Sequence, residues 1–88
     1  MLHEPLDYYD YYVAPAAEAS KVTWCVYRGR PESAWAVMAC ASREDAIGRA
    51  VSMAKLCRAG GRHSFVRLRE SATAPWRVLP LPVIARAA

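Results

Sequence analysis

Five side chains of this sequence are of the types that carry covalent or metal chemistry: His3, His63, Cys25, Cys40 and Cys57. Their spacing points elsewhere. A zinc site wants CxxC- or CxxxH-like pairs and a disulfide framework wants an even count; three widely separated cysteines offer neither. Each cysteine lies inside an apolar stretch, where a free thiol behaves as a small hydrophobe. Buried structural thiols and a reducing, cytoplasmic setting are therefore expected. No Ser/His/Asp or Cys/His pattern is readable, and His63, beside a Gly-Gly pair, reads as a surface loop residue. "AGGR" follows a helical pattern instead of opening one, so it does not read as a phosphate loop. These residues predict no catalytic group, no metal and no cofactor, and hence a non-enzymatic protein.

Recognition chemistry is better represented. Arg67, Arg69 and Arg77 accompany Phe65 near the C-terminal end, and strand-borne arginines beside an aromatic ring can contact phosphates and stack bases. The competing reading is that alternating charge keeps a solvent face soluble while arginine stems cover apolar neighbours. No RNP-like signature, GXXG clamp or helix-turn-helix pattern supports the first reading. At the other end, "LDYYDYYV" (6–13) concentrates Asp7, Tyr8, Tyr9, Asp10, Tyr11 and Tyr12. Residues 1–20 carry net −4 and residues 21–88 net +8, together the +4 of the chain. An acidic aromatic arm on a basic body complements a face of aromatic and arginine character. Docking on an open sheet face or addition to a sheet edge is expected of it, within one chain or between two copies.

The elements that must position these groups follow from periodicity. Residues 1–20 end in "APAAEAS", which reads as a linker. "KVTWCVYR" (21–28) and "AWAVMACA" (34–41) read as strands joined by a "GRPES" turn, an antiparallel hairpin. Ser42 offers a helix N-cap, and residues 43–59 place apolar side chains at 46, 47, 50, 51, 53, 54 and 57 on one face. Gly60-Gly61 would close the helix as a left-handed cap. Gly48 and Leu56 read as tolerated surface positions. "HSFVRLRE" (63–70) alternates, with Val66 and Leu68 on one face and Phe65, Arg67 and Arg69 on the other. "PWRVL" (75–79) reads as a last strand, with Trp76 and Val78 inward and Arg77 outward; "PLPV" would leave the sheet.

The predicted fold is α+β: a two-layer β-β-α-β-β sandwich, its four-stranded antiparallel sheet in the order 2-1-3-4 with one helix on one face. The domain would span residues 21–83, between the arm and linker (1–20) and a tail (84–88). One helix covers one side of such a sheet, and the first two strands are apolar on both, so the far side should need a cover.

The run "AWAVMACASREDAIGRAVSMAKLCRAGG" resembles small bacterial domains of unknown function of the DUF2188 type. Trp35-Ala36-Val37, Asp45-Ala46-Ile47 and Gly60 carry the resemblance. It spans residues 22–70, omits the arm and the last strand, and lacks the family's usual hairpin glycine after Gly61. It implies the β-β-α-β core and no activity.

The sequence thus predicts a small binding protein that engages a protein partner, or a second copy of itself, through the open sheet face, a strand edge or the arm. Size and uneven charge also suit a phage or mobile-element inhibitor of a host nucleoprotein machine. A nucleic-acid-binding module using Arg67, Arg69 and Arg77 is the alternative. No apolar run is long enough for a membrane span, and no signal peptide is readable, so no membrane partner is expected.

Overall fold

The computed structural model describes residues 10–18, 21–29 and 33–81. Asp7, Tyr8 and Tyr9, like the tail at 84–88, lie outside the described residues. The elements run β1 (Asp10–Glu18), β2 (Lys21–Gly29), β3 (Trp35–Cys40), α1 (Arg43–Ala59), β4 (Val66–Leu68) and β5 (Arg77–Leu79). All five strands form one sheet in the order β3-β2-β1-β4-β5.

The fold is α+β with one helix, but the sheet is mixed and five-stranded, which corrects the four-stranded antiparallel layer in the order 2-1-3-4. The difference is one inserted strand. β2 and β4 were expected to be antiparallel neighbours; β1 lies between them, and a strand placed there must run parallel to one of the two. It is antiparallel to β2, with Asp10 opposite Gly29 and Glu18 opposite Lys21. It is parallel to β4, with Tyr11 opposite Val66 and Val13 opposite Leu68. Residues 10–18, read from composition as arm and linker, are thus the middle of the sheet.

Pro15 sits in this central strand without breaking it. The Tyr11 N–H donates to Phe65 O at 2.8 Å and Val13 O accepts from the Arg69 N–H at 3.0 Å, so residues 11 and 13 aim their backbone groups at the β4 side. By alternation Pro15 aims its nitrogen the same way. There the parallel pairing has already ended, at Val13 opposite Leu68. The missing donor therefore falls on an unpaired flank, as a proline in a sheet requires.

α1 packs against β1 to β4 on one face. Ala46, Ala50 and Ala54, one helical turn apart, are fully buried and let the helix approach the sheet closely. They meet Tyr11, Val13, Val26, Cys40, Val66 and Leu68, with Trp24, Met38, Ile47, Val51, Met53, Cys57, Leu79 and Leu81 around them. The Ser42 hydroxyl oxygen accepts the Asp45 N–H at 3.1 Å, and Glu44 and Asp45 lie in the first turn. At the other end Gly61 alone, at φ +85°, is left-handed; Gly60 has φ −88°. The Gly61 N–H bonds to Arg58 O and the Arg62 N–H to Cys57 O, both at 2.9 Å, which is a Schellman closure.

Candidate functional site

Cross-strand partners share a face. Tyr12 is opposite Tyr27 on one side and Arg67 on the other, Ala14 is opposite Cys25, and Arg67 is opposite Val78. These residues define the sheet face away from α1. Among the described residues no further element covers it. It retains exposed apolar surface at Phe65 (39%), Trp76 (36%) and Val78 (51%).

Side chains nevertheless organise this face. Tyr12 is only 3% exposed although it points away from the helix. The Trp76 ring meets it edge-on, centroids 5.2 Å apart at 76°. The Arg67 guanidinium carbon lies 5.6 Å from the Tyr12 ring centroid and 5.9 Å from that of Phe65. The Arg58 guanidinium carbon, reaching from the end of α1, lies 5.2 Å from the Phe65 ring centroid, and its Nε donates to Ser64 O at 2.8 Å. Arg69 lies over Trp76 at 4.3 Å. The result is a row of contacts in the order Arg58, Phe65, Arg67, Tyr12, Trp76, Arg69, three cations and three rings with Tyr12 and Trp76 adjacent; cation–ring contacts contribute about 0.5–1 kcal/mol each near a surface.

The arginines differ in what else they meet. Arg67 Nη1 donates to Asp10 Oδ2 at 2.6 Å, so these two expected site residues neutralise each other. Arg77 is not on this face. It is opposite the buried Leu68, on the helix side, and its Nη2 donates to Glu70 Oε2 at 3.2 Å. This corrects the expected orientation of the last strand: Leu79 turns to the core, while Trp76 and Val78 face outward. Among the described residues Arg69 has neither an acidic partner nor a hydrogen bond from its Nε, which is sealed from solvent.

Beside Arg69 a cleft of about 280 Å³ opens, lined by Tyr12, Ala14, Pro15, Tyr27, Ala34, Arg69 and Trp76. Burial, and then the neighbouring Cys25, push the Tyr27 hydroxyl above its ordinary pKa, against a smaller pull from Arg69, so it is protonated at neutral pH. Neither a protein-family model, nor a curated protein, nor a solved structure matches this chain.

Of the expected site residues, Asp10, Tyr12, Phe65, Arg67 and Arg69 are brought together around this face. Tyr11 is turned the other way, into the core, its hydroxyl 3.6 Å from Cys57 Sγ. Trp76, Tyr27 and Ala14 belong to the cleft and were missed as site residues. The signal for Trp76 was present: Leu79 and Leu81 alternate as core residues, which places 76 and 78 opposite.

All three cysteines are free; Cys40 is buried, while Cys25 and Cys57 are half-buried. Among the described residues no cluster of His, Cys, Asp and Glu could hold a metal, and no helix is long and apolar enough to cross a membrane.

Proposed function

We propose that this protein is a non-enzymatic binding module that engages a protein partner through the sheet face opposite α1. The observation that carries this reading is the aromatic–arginine row centred on Tyr12 and Trp76, on a face with exposed Phe65, Trp76 and Val78. Trp, Tyr and Arg dominate protein–protein hot spots because they bury large area and retain a polar edge. The nucleic-acid alternative asks for several strand-borne cations on one face, since affinity there grows with the number of phosphates neutralised. Arg67 is occupied by Asp10 and Arg77 lies on the helix side, which weakens it. Acting by occupancy, such a domain would block or recruit its partner, the manner of a small phage-borne inhibitor.

Affinity capture from extract of the native cell tests the reading when three baits are compared: the unaltered chain, Trp76→Ala and Leu56→Ala. Leu56 lies exposed on the far side of the helix and serves as control. A protein retained by the unaltered chain and by Leu56→Ala but lost from Trp76→Ala is the expected result; capture indifferent to Trp76→Ala overturns it. Fluorescence anisotropy with single- and double-stranded DNA and RNA at two salt concentrations tests the alternative. Salt-sensitive binding there replaces the protein reading.

A further inference from the structure

We infer that the cleft beside Arg69 receives a carboxylate side chain, Asp or Glu, from the bound protein, with Arg69 as donor and Tyr27, Trp76 and Tyr12 as walls. This rests on the open-face reading above and names the chemistry that the face selects.

The argument starts with charge. Arg67 is answered by Asp10, and Arg77 by Glu70 on the other side of the sheet. Arg69 is the arginine of the row that lines the cleft, and no acid in the described residues answers it. Its Nε is sealed among protein atoms, so a ligand in the cleft meets the charge through the terminal guanidinium nitrogens.

Geometry then narrows the ligand. Trp76, its ring centroid 4.3 Å from the Arg69 guanidinium carbon, holds the cation against the cleft wall, and a planar anion can meet the terminal N–H groups. The same contact fixes the side chain before anything binds, so less rotamer freedom is lost on binding. Tyr27 lines the same cleft, and its hydroxyl, kept protonated by burial and hydrogen-bonded with Cys25, adds no negative charge to repel a carboxylate. The cleft, about 280 Å³, is roomy enough to admit a carboxylate side chain together with part of the residue that carries it. A single unanswered cation matches a monoanionic carboxylate better than a phosphate dianion.

The test uses the full chain and a phage-displayed random-peptide library, with panning on the unaltered protein and elution profiles compared with Arg69→Gln and Trp76→Ala. Enriched peptides are expected to share an Asp or Glu at one fixed position beside an apolar residue. Replacing that residue by Asn or Gln in the synthetic peptide, which leaves the protein untouched, should weaken binding about tenfold or more, and Arg69→Gln should do the same. Peptides that need Trp76 but share no acidic position overturn the inference and leave the open-face reading standing. Absence of any Trp76-dependent peptide counts against both. Tighter binding of a phosphoserine version of the peptide than of the acidic one overturns the carboxylate assignment in favour of phosphate.

Discussion

Asp10 ties the start of β1 to β4 with both oxygens: Oδ2 takes Arg67 Nη1 at 2.6 Å and Oδ1 takes the Phe65 backbone N–H at 3.2 Å. The pair is largely shielded, with side-chain exposures of 18% for Asp10 and 28% for Arg67. Asp10→Ala leaves both donors without their acceptor and should cost about 2 kcal/mol in urea unfolding, the range for hydrogen bonds to charged groups. In a double-mutant cycle with Arg67→Ala, the two losses should fall short of additivity by about 1 kcal/mol. Additive losses would show that the pair contributes no coupling.

A second carboxylate joins helix and sheet on the opposite side. Glu70 is gripped by Arg43 through two bonds, at 2.8 and 2.6 Å, and by Arg77 at 3.2 Å. Hydrogen bonding from Arg43 is the main reason that its pKa falls from 4.5 to about 2. The folded-state value lies below the unfolded one, so the stabilisation is fully present above pH 4.5 and is lost as the pH falls through about 2. Carbon-detected titration of the Glu70 carboxyl should show a midpoint near 2, and Arg43→Gln should move it back toward 4.5.

Gly48 lies within α1, where a Cβ would meet nothing within 4 Å. Gly48→Ala should therefore raise stability by about 1 kcal/mol, the helix-propensity difference. Gly29 behaves oppositely. At φ +136° its Cβ would lie 2.9 Å from Ala34 Cα, so Gly29→Ala should destabilise by about 1–3 kcal/mol. Equal responses at the two positions in thermal unfolding would contradict this contrast.

The buried alanines of α1 set the distance between helix and sheet. Ala50→Leu must force extra methylenes into a fully closed contact with the sheet and should cost about 1–3 kcal/mol or more. Leu56→Ala, at a position 73% exposed, should change stability by no more than about 0.5 kcal/mol. Chemical denaturation of the two variants side by side checks the assignment of the helix faces.

α1 and the β2–β3 hairpin were legible because their signals are local: Ser42 at the cap, the 3.6-residue apolar stripe and the β-branched run from Val22. The centre of the sheet was not. Tyr11, Tyr12 and Val13 favour a strand, but Pro15 amid alanines argues for a linker, and only the early end of the parallel pairing makes that proline compatible with a central position. The row of Phe65, Arg67 and Arg69 was readable from period-2 alternation. Its completion by Tyr12 and Trp76 depends on a parallel contact across more than fifty residues of chain, Tyr12 opposite Arg67, which spacing does not encode. Burial of Trp76 and Val78 argued for Arg77 outward; at an edge strand the register decided instead, with Leu79 opposite Val66 and Arg77 opposite Leu68.

Pro15 has one more effect. A residue with an N–H there would offer β4 one more donor and let the chain after Leu68 continue its pairing along β1. With that zipper stopped at Val13, the backbone beyond Arg69 departs, and Pro15 and Ala14 become the floor of a hollow. The cleft beside Arg69 borders on a nitrogen that carries no hydrogen.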